Sequence, residues 1–455
     1  MKINRSEFLS KTITAITAVS AIGSLSAQTS NKKNLSVKKV TVVGAGIAGL
    51  YSAYLLKNSG YEVSIVEAKN RFGGRVLTIS NDESQLTSEL GAEWIQENHF
   101  TIKSLCKELG IELKAYPVMN DILLGDNLIE SNLVKPNSQT REIIKRVISL
   151  FEKMSPEKKV GLDKLDIYSF LKYQGVTEEE LYLLDIKYSV ILGENIRTIS
   201  AEKAIALFEF TENGSPFQYK IQTGSEKIID SLKSNLKGTN FIISDPIISI
   251  EDLGNGVILK SKSGKSISSD ACIIAIPSSQ LNKIKIYPDL PKEHKLALLQ
   301  LRMSRITKVS ALYKGIDYVR DKLYIQGDGV FQNIYSNGVK NKAANKGILT
   351  LLSSGDRADT YSRLSTEYLP TFVKQNLDSI ELLSTLKLEK IDLKAWQNEP
   401  FIEGANSIYA PGTFDVKSIL KKNHGRVHFA GEHLGKYNGT MEGALLSAID
   451  AVNGI

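Results

Sequence analysis

A strand–turn–helix–strand pattern near the N-terminus constrains the fold more than any other feature of the chain. The β-branched run at residues 40–43 leads into the glycine motif GAGIAG at 44–49, and an apolar helical stretch follows it as far as Leu56. A second strand at 61–66 then ends at Glu67, 18 residues after the motif. This order and spacing are typical of a βαβ unit that binds a dinucleotide, whereas a lone glycine turn with a structural role would need none of the flanking elements. The sequence therefore predicts a Rossmann-type α/β domain.

Each part of the βαβ unit has a physical role. Gly44 permits the tight turn, Gly46 lets the backbone approach a pyrophosphate, and Gly49 lets the helix pack against the strand. The positive end of the helix attracts the phosphates. Glu67 can accept hydrogen bonds from both ribose hydroxyls, and its charge disfavours a 2′-phosphate. The predicted cofactor-binding residues of the unit are Gly44, Gly46, Ile47, Ala48, Gly49 and Glu67.

The loop after Glu67 narrows the choice of dinucleotide. It reads AKNRFGGR at 68–75 and resembles the E-A-x-x-R-x-G-G-R signature of the flavin-containing amine oxidase superfamily, which includes monoamine, polyamine and L-amino acid oxidases. The resemblance implies FAD, with its adenosine end along this loop. It also implies that two arginines contact the FAD phosphates and ribityl region and that the glycine pair lets the backbone pass close by. A basic glycine loop with a structural role is the alternative. The residues implied are Ala68, Arg71, Gly73, Gly74 and Arg75.

The resemblance reaches the C-terminus. VHFAGE at 427–432 is similar to the family's closing strand, whose acid bonds the ribityl chain, and GTMEGA at 439–444 is similar to its final helix start. A helix beginning near Thr440 would point its N–H groups at the flavin and stabilise the negative charge that appears on reduction. In between, Ile247 matches the position whose backbone pairs with adenine. These segments add Ile247, Gly431, Glu432, Thr440 and Met441 to the implied cofactor-binding residues.

One side chain is implied in catalysis. Lys308 matches the family's lysine that holds a water against flavin N5 and assists reoxidation by dioxygen; an ordinary strand-edge lysine is the alternative. Trp396, with Phe401 and Ala405, resembles the stretch that lines the flavin's dimethylbenzene side. Gly91, Ala92, Glu93 and Trp94 match positions beside the flavin and the pocket mouth, and the implied substrate pocket consists of Trp94, Ala405 and Thr440.

Departures from the family pattern bear on the cofactor bond and the substrate. The block aligned with Gly404 lacks the cysteine that tethers FAD in animal monoamine oxidases, so we expect noncovalent FAD. The two tyrosines that sandwich the amine in those enzymes align with Ala405 and Thr440, so that aromatic cage is absent.

The substrate class stays open at this point. Where L-amino acid oxidases place an arginine that clamps the carboxylate, this chain has Trp94; Arg197 or Arg305 could replace that arginine. His433 and the turn APG at 410–412 nevertheless resemble the amino-acid-oxidase branch.

The order of the motifs predicts a discontinuous cofactor domain. Residues 135–215 have helical apolar spacing, and 285–395 mix strands, such as 308–313 and 347–352, with helices near 365–377. In the family such blocks form a substrate domain of mixed sheet and helices. The predicted division is an FAD-binding domain of 40–92, 216–284 and 421–455, with a substrate domain of 93–215 and 285–420.

The N-terminus resembles a targeting segment. Basic residues at 2–11 precede an uncharged, mildly apolar run at 12–26, which is too short to span a bilayer. We expect cleavage near Ala27, a linker at 28–39, and export to the periplasm or medium, by a twin-arginine-like route with Ser6 in place of the second arginine or by the general secretory route. An uncleaved tail is the alternative.

Composition limits the remaining possibilities. The chain has 455 residues and a net charge of +7, of which the leader carries two. The lysine clusters are short and lack interleaved aromatics, which indicates a solvated surface and no nucleic-acid partner. The two cysteines are too few and too far apart for a disulfide framework or a metal site. No apolar run is long enough to span a bilayer, so we do not expect an integral membrane protein.

We therefore predict an exported FAD-dependent amine oxidase whose partners are a small amine or L-amino acid and dioxygen, with a homodimer left open. One alternative is a flavin desaturase or dehydrogenase of the same fold that acts on a carbon–carbon bond. Another is a secreted FAD-binding protein without turnover.

Overall fold

The computed structural model describes residues 38–81, 86–117, 121–124, 127–130, 137–212, 217–315, 323–341 and 345–455. The predicted signal peptide, 1–27, and all but the end of the linker, 28–39, lie outside the described residues. The strands are β1 Lys39–Val43, β2 Glu62–Val66, β3 Thr78–Asn81, β4 Leu86–Glu89, β5 Ile95–Gln96, β6 Leu113–Pro117, β7 Asp121–Leu124, β8 Asn127–Glu130, β9 Phe217–Ile221, β10 Asn240–Ile242, β11 Ile247–Asp252, β12 Val257–Ser261, β13 Ser266–Ser269, β14 Ala271–Ile274, β15 Lys285–Tyr287, β16 Arg302–Met303, β17 Ile306–Lys314, β18 Tyr324–Gly327, β19 Asn333–Asn341, β20 Lys346–Ser354, β21 Lys387–Ala395, β22 Ser407–Ile408 and β23 Val427–Phe429.

Helices fill the intervals between these strands. None of the described helices combines the length and apolar composition needed to cross a membrane. The α-helices are α1 Ile47–Asn58, α2 Phe100–Glu108, α3 Ser138–Glu152, α4 Pro156–Asp163, α5 Ile167–Tyr173, α6 Glu178–Leu192, α7 Ala201–Glu212, α8 Glu226–Asn235, α9 Ser278–Leu281, α10 Lys292–Gln300, α11 Gly355–Tyr361, α12 Leu369–Asp378, α13 Glu381–Ser384, α14 Val416–Leu420 and α15 Met441–Asn453.

A five-stranded parallel sheet forms the centre of the cofactor side, in the order β10-β2-β1-β14-β23. β1, β2, β14 and β23 are short runs that are buried almost throughout, as expected for a parallel sheet covered on both faces, whereas the edge strand β10 is only partly buried. The βαβ unit predicted at the N-terminus is β1, α1 and β2, and α15 packs against α1. Each of the three predicted cofactor blocks contributes at least one of the five strands.

The hydrophobic core of this side extends past the predicted block boundaries. It joins Val43 and Ile274 of the parallel sheet to Leu301 after α10 and to Leu420 of α14. β15, which begins at residue 285, also pairs with β11 in a four-stranded sheet. One hydrophobic core therefore contains residues from both sides of the boundaries predicted at 284 and 421.

The other side combines a seven-stranded sheet with a group of helices. The sheet order is β21-β17-β20-β19-β18-β7-β8, and β17 lies between β20 and β21 in antiparallel register. Lys308 is thus on an interior strand, which removes the strand-edge interpretation. Helices α3 to α7 occupy the region predicted to be helical, and their apolar faces form one core with Ile408.

Candidate active site

One cavity of about 1510 Å³ collects nearly all of the predicted site residues. Small-molecule pockets usually measure about 300–1,000 Å³, so this cavity can hold more than one small ligand. The predicted residues that line it are Gly44, Gly46, Ile47, Ala48, Glu67, Ala68, Gly73, Gly74, Arg75, Gly91, Ala92, Glu93, Trp94, Ile247, Lys308, Trp396, Ala405, Gly431, Glu432, Thr440 and Met441.

The glycine turn after β1 forms a backbone cradle at one end of the cavity. Gly44 has φ +100°, and a Cβ there would lie 2.6 Å from the Ala275 carbonyl oxygen, so only glycine fits. Gly46 precedes α1 without a side-chain cap, and the first turn of α1 contains no acidic residue. The N–H groups of that turn and their partial positive charge are therefore available to an anion.

Glu67 closes the cradle at the end of β2. Its Oε2 accepts the Ala45 N–H at 2.7 Å and its Oε1 accepts the Lys69 N–H at 2.8 Å. Burial raises the pKa of Glu67, although these two backbone bonds and the charges of Arg71 and Lys69 oppose that effect. Each carboxylate oxygen keeps a second lone pair for a ligand hydroxyl.

Two predicted cofactor contacts, Gly49 and Arg71, do not line the cavity. A Cβ on Gly49 would lie 2.0 Å from the Gly44 carbonyl oxygen, so this glycine serves the packing of α1 on the turn. The Arg71 guanidinium donates to the carbonyls of Phe72 at 3.0 Å and Val76 at 3.2 Å, and also to Gly74. The loop of Arg71 thus accepts three hydrogen bonds from its guanidinium, which holds the glycine pair in place. Its contact with the phosphates stays a prediction.

Arg75, unlike Arg71, bonds to residues that are distant in sequence. Its Nη1 donates to Glu432 Oε1 at 2.7 Å and to the Ala405 carbonyl at 2.5 Å. Glu432 also accepts the Ser407 hydroxyl and the Gly439 N–H, each at 2.7 Å. Burial opposes the ionisation of Glu432, but Arg75, His433 and the Ser407 hydrogen bond together outweigh it and hold the pKa below its usual range. Arg75 thus joins its own loop to two segments distant in sequence, at Ala405 and Glu432, and all three residues line the cavity.

The N-terminus of α15 also points into the cavity. The Thr440 hydroxyl accepts the Gly443 N–H at 3.0 Å and so caps the helix, and both Thr440 and Met441 line the cavity. The first-turn acid Glu442 accepts the N–H groups of Thr101 and Ile102 at the start of α2, so its carboxylate is already paired there. The predicted helix start near Thr440 is confirmed.

Lys308 and Trp396 hold the segment that follows β4. Lys308 Nζ donates to the carbonyls of Glu89 at 3.2 Å and Gly91 at 3.0 Å and to Glu93 Oε2 at 3.0 Å. Trp396 Nε1 donates to the Leu90 carbonyl at 2.8 Å. Lys308 is only 5% exposed, so its ammonium lies in a nearly water-free part of the wall.

An aromatic wall lines the cavity beside Lys308, and sequence reasoning missed most of it. Tyr324 and Tyr335 pair directly across β18 and β19, and their rings stack at 5.5 Å. The ring of Trp94 lies 5.9 Å from that of Tyr335. The cage positions Ala405 and Thr440 line the cavity without rings, so aromatic residues come from elsewhere. Tyr324 and Tyr335 come together only through the pairing register of β18 and β19, and no sequence motif marks that register.

Neither arginine named as a carboxylate clamp lines the cavity. Arg305 pairs with Glu194 at 2.8 Å and with Asp359 at 2.7 Å. Arg197 lies with its guanidinium carbon 3.2 Å from the centre of the Tyr168 ring. Over the described ranges, Arg75 is the only lining arginine, and the α6 and α7 side contributes lysines instead, at positions 187 and 203.

These features suit FAD. The glycine cradle and the open N-terminus of α1 fit a pyrophosphate, Glu67 fits a ribose, and the positive end of α15 fits the flavin ring. Lys308 and the aromatic wall line the same cavity. The fold and the site together define a flavin-dependent oxidoreductase.

Comparison with known proteins narrows this class. Residues 47–455 match the family described as flavin containing amine oxidoreductase. The chain is 24% identical over 448 residues to an L-amino-acid oxidase of Mus musculus, covering 91% of this chain and 70% of that protein. It is also 24% identical over 445 residues to a probable flavin-containing monoamine oxidase A of Dictyostelium discoideum, covering 90% and 95%.

Solved structures share the fold. A putrescine oxidase bound to putrescine superposes with a TM-score of 0.79 at 19% identity, covering 92% of this chain and 98% of that chain. Cyclohexylamine oxidase from Brevibacterium oxydans IH-35A gives a TM-score of 0.79 at 20% identity, covering the same shares of the two chains. The chain belongs to the flavin-containing amine oxidoreductase family and is an FAD-dependent oxidoreductase that acts on the CH–NH2 group of a small molecule.

Proposed function

We propose that this protein oxidatively deaminates a small amine or an L-amino acid and releases hydrogen peroxide. The observation that carries the proposal is that Lys308 and the aromatic wall share one cavity with the dinucleotide cradle. Flavin, when bound by the glycine cradle and Glu67, would supply the electron-accepting chemistry that removes a hydride from the carbon beside the amine and passes the electrons to dioxygen. The resulting imine would leave the site and hydrolyse.

The chain's own residues would bind and orient the substrate. The rings of Trp94, Tyr324 and Tyr335 offer an apolar surface, and Val190 and Leu207 from α6 and α7 also line the cavity. Amide side chains such as Asn333 lie among them, with Asn333 Nδ2 donating to the Tyr324 hydroxyl at 2.7 Å. An apolar substituent on the substrate would pack on this wall and exclude water from the reacting carbon.

Lys308 would serve the oxygen step. Its buried ammonium carries a positive charge in surroundings where charge acts strongly, and by resemblance it would hold a water beside the flavin and assist reoxidation. Its three acceptors fix the side chain in one direction.

We propose that the flavin is held noncovalently. Cys106 and Cys272 are the two cysteines of the chain, both are fully buried, and neither lines the cavity. Ala405 and the residues beside it offer no thiol. We also propose that the protein is exported, which the basic and apolar leader at 1–27 supports.

An oxygen-electrode and peroxide assay over a panel of amines, polyamines and L-amino acids tests the proposed function. We expect at least one amine to drive equal consumption of oxygen and formation of peroxide. Reduction of an artificial electron acceptor without peroxide would favour a desaturase or dehydrogenase. Lys308→Met gives the narrower check, because a variant that is reoxidised as fast as the parent would remove the role given to Lys308.

A further inference from the structure

A buried ion-pair cluster lies behind the part of the wall formed by Lys308 and Trp94. It joins Glu93 to two lysines, Lys308 on β17 and Lys220 on β9. Lys220 Nζ donates to Glu93 Oε1 at 2.5 Å, and Lys308 Nζ donates to Glu93 Oε2 at 3.0 Å. The three residues are 4%, 6% and 5% exposed in the order Glu93, Lys220, Lys308. Two ammonium groups therefore share one carboxylate where little water reaches.

Only part of this cluster faces the cavity. Glu93 and Lys308 line it, whereas Lys220 does not. Lys220 Nζ lies 3.8 Å from the centre of the Trp94 ring, so it supports that ring from behind. The Tyr335 hydroxyl donates to Glu93 Oε2 at 2.5 Å, so one carboxylate oxygen serves both Tyr335 and Lys308.

Burial and the neighbouring charges act against each other in this cluster. Burial would raise the pKa of Glu93, but Lys220 and Lys308 outweigh it and lower that pKa to about 2, so the carboxylate is ionised at neutral pH. Burial lowers the pKa of Lys220 even though Glu93 opposes this effect. Lys394, the neighbour of Lys308 on β21, pairs with Glu399 instead. The titratable groups that face Lys308 are Glu89, Glu93, Lys220 and Tyr335.

We propose that Glu93 and Lys220 are positioning residues for Lys308. Glu93 pairs with the Lys308 ammonium and directs it at the cavity wall, and Lys220 competes for the same carboxylate and so limits how firmly Lys308 is held. The inference rests on the proposed function, because the oxygen step gives the charge of Lys308 its importance.

Substitutions of the two partners should act in opposite directions. Glu93→Gln removes the counter-ion of Lys308, so its ammonium loses its proton at a lower pH. Lys220→Met removes a like charge and leaves Glu93 to Lys308 alone, so the ammonium keeps its proton to a higher pH. A role limited to folding would move both variants the same way or leave the titration of Lys308 unchanged.

The test starts from flavin-loaded protein that is reduced with light and then mixed rapidly with oxygenated buffer, so no amine substrate is needed. The rate constant of reoxidation is recorded over the pH range in which the protein stays folded. In Glu93→Gln we expect the pH above which reoxidation slows to fall by about 1 to 3 units, which is the usual effect of losing an opposite charge nearby. In Lys220→Met we expect that pH to rise by about one unit.

A second readout does not depend on turnover. The full-length chain freed of flavin is treated with a small amine-selective reagent at a series of pH values, and modification of Lys308 is measured by mass spectrometry. The pH at half-maximal modification should move down in Glu93→Gln and up in Lys220→Met. Because both readouts omit the amine, a negative amine panel would defeat the proposed function without touching this inference.

The matched control is Glu178→Gln. Glu178 pairs with Lys172 at 2.5 Å, but both side chains are more than half exposed and neither lines the cavity. Its loss should leave the titration of Lys308 unchanged. Shifts of the same sign in Glu93→Gln and Lys220→Met, or no shift in Glu93→Gln, would overturn the inference.

Discussion

Two glycines of the GAGIAG motif should separate cofactor binding from folding when each is replaced by alanine. A Cβ on Gly46 would find only the Gly74 Cα, at 4.0 Å, and Gly46 lines the cavity. A Cβ on Gly49 would lie 2.0 Å from the Gly44 carbonyl oxygen and 3.3 Å from the Ala275 Cβ. The first methyl group would intrude on the ligand, whereas the second would intrude on the protein backbone.

The expected magnitudes differ accordingly. In Gly46→Ala, the weaker N-cap and the stiffer unfolded chain largely offset each other, so the free energy of unfolding changes by about 1 kcal/mol or less. The loss of one charge-assisted hydrogen bond to a phosphate, worth about 1.5–3 kcal/mol, raises the flavin Kd roughly 10-fold to 150-fold. In Gly49→Ala the backbone must shift, which we expect to lower the free energy of unfolding by about 2 kcal/mol or more.

Two assays on each variant distinguish an effect on folding from an effect on cofactor binding. Urea denaturation of the flavin-free protein gives the free energy of unfolding, and quenching of flavin fluorescence on titration gives the Kd for FAD. If Gly46→Ala lost as much stability as Gly49→Ala, or bound FAD as tightly as the parent, the assignment of Gly46 to the cofactor cradle would be refuted.

Three further outcomes follow from the structure. Burial, and after it the charge of Glu93, raises the pKa of Glu89 to about 7. The folded protein therefore loses stability as the pH rises from the pKa of Glu89 in the unfolded chain towards 7. Glu89→Gln should reduce this loss of unfolding free energy by up to about 3 kcal/mol, measured by urea denaturation at acid and neutral pH. Burial raises the pKa of Cys106 to about 12 and also raises that of Cys272, so a thiol reagent should titrate neither cysteine in the native protein and both in denaturant. Acid precipitation should release all of the flavin into the supernatant, and yellow colour retained by the pellet would contradict the noncovalent cofactor.

The parts of the site that the sequence predicted are those fixed by local geometry. Gly44 and Gly46 occupy a turn whose conformation depends on a few consecutive residues, and Thr440 caps a helix through Gly443, three residues away. Short-range rules of this kind can be recognised wherever they occur.

The remaining parts depend on contacts between distant segments. Arg71 and Arg75 belong to one motif, yet Arg71 bonds to its own loop and Arg75 to Glu432. Lys220 meets Glu93 because β9 pairs with β5, across more than a hundred residues. Such partners depend on strand register, and a buried lysine reads as an ordinary surface residue until that register is known.

Anaerobic mixing of the flavin-loaded protein with single amines and L-amino acids is the sharpest test of amine oxidation in this cavity, because it observes electron transfer from the amine without the oxygen step. We expect at least one of them to bleach the oxidised flavin band, and admitting oxygen should restore that band. Full retention of the oxidised band with every amine and amino acid, in protein that binds FAD, would contradict the assignment of this cavity to amine oxidation.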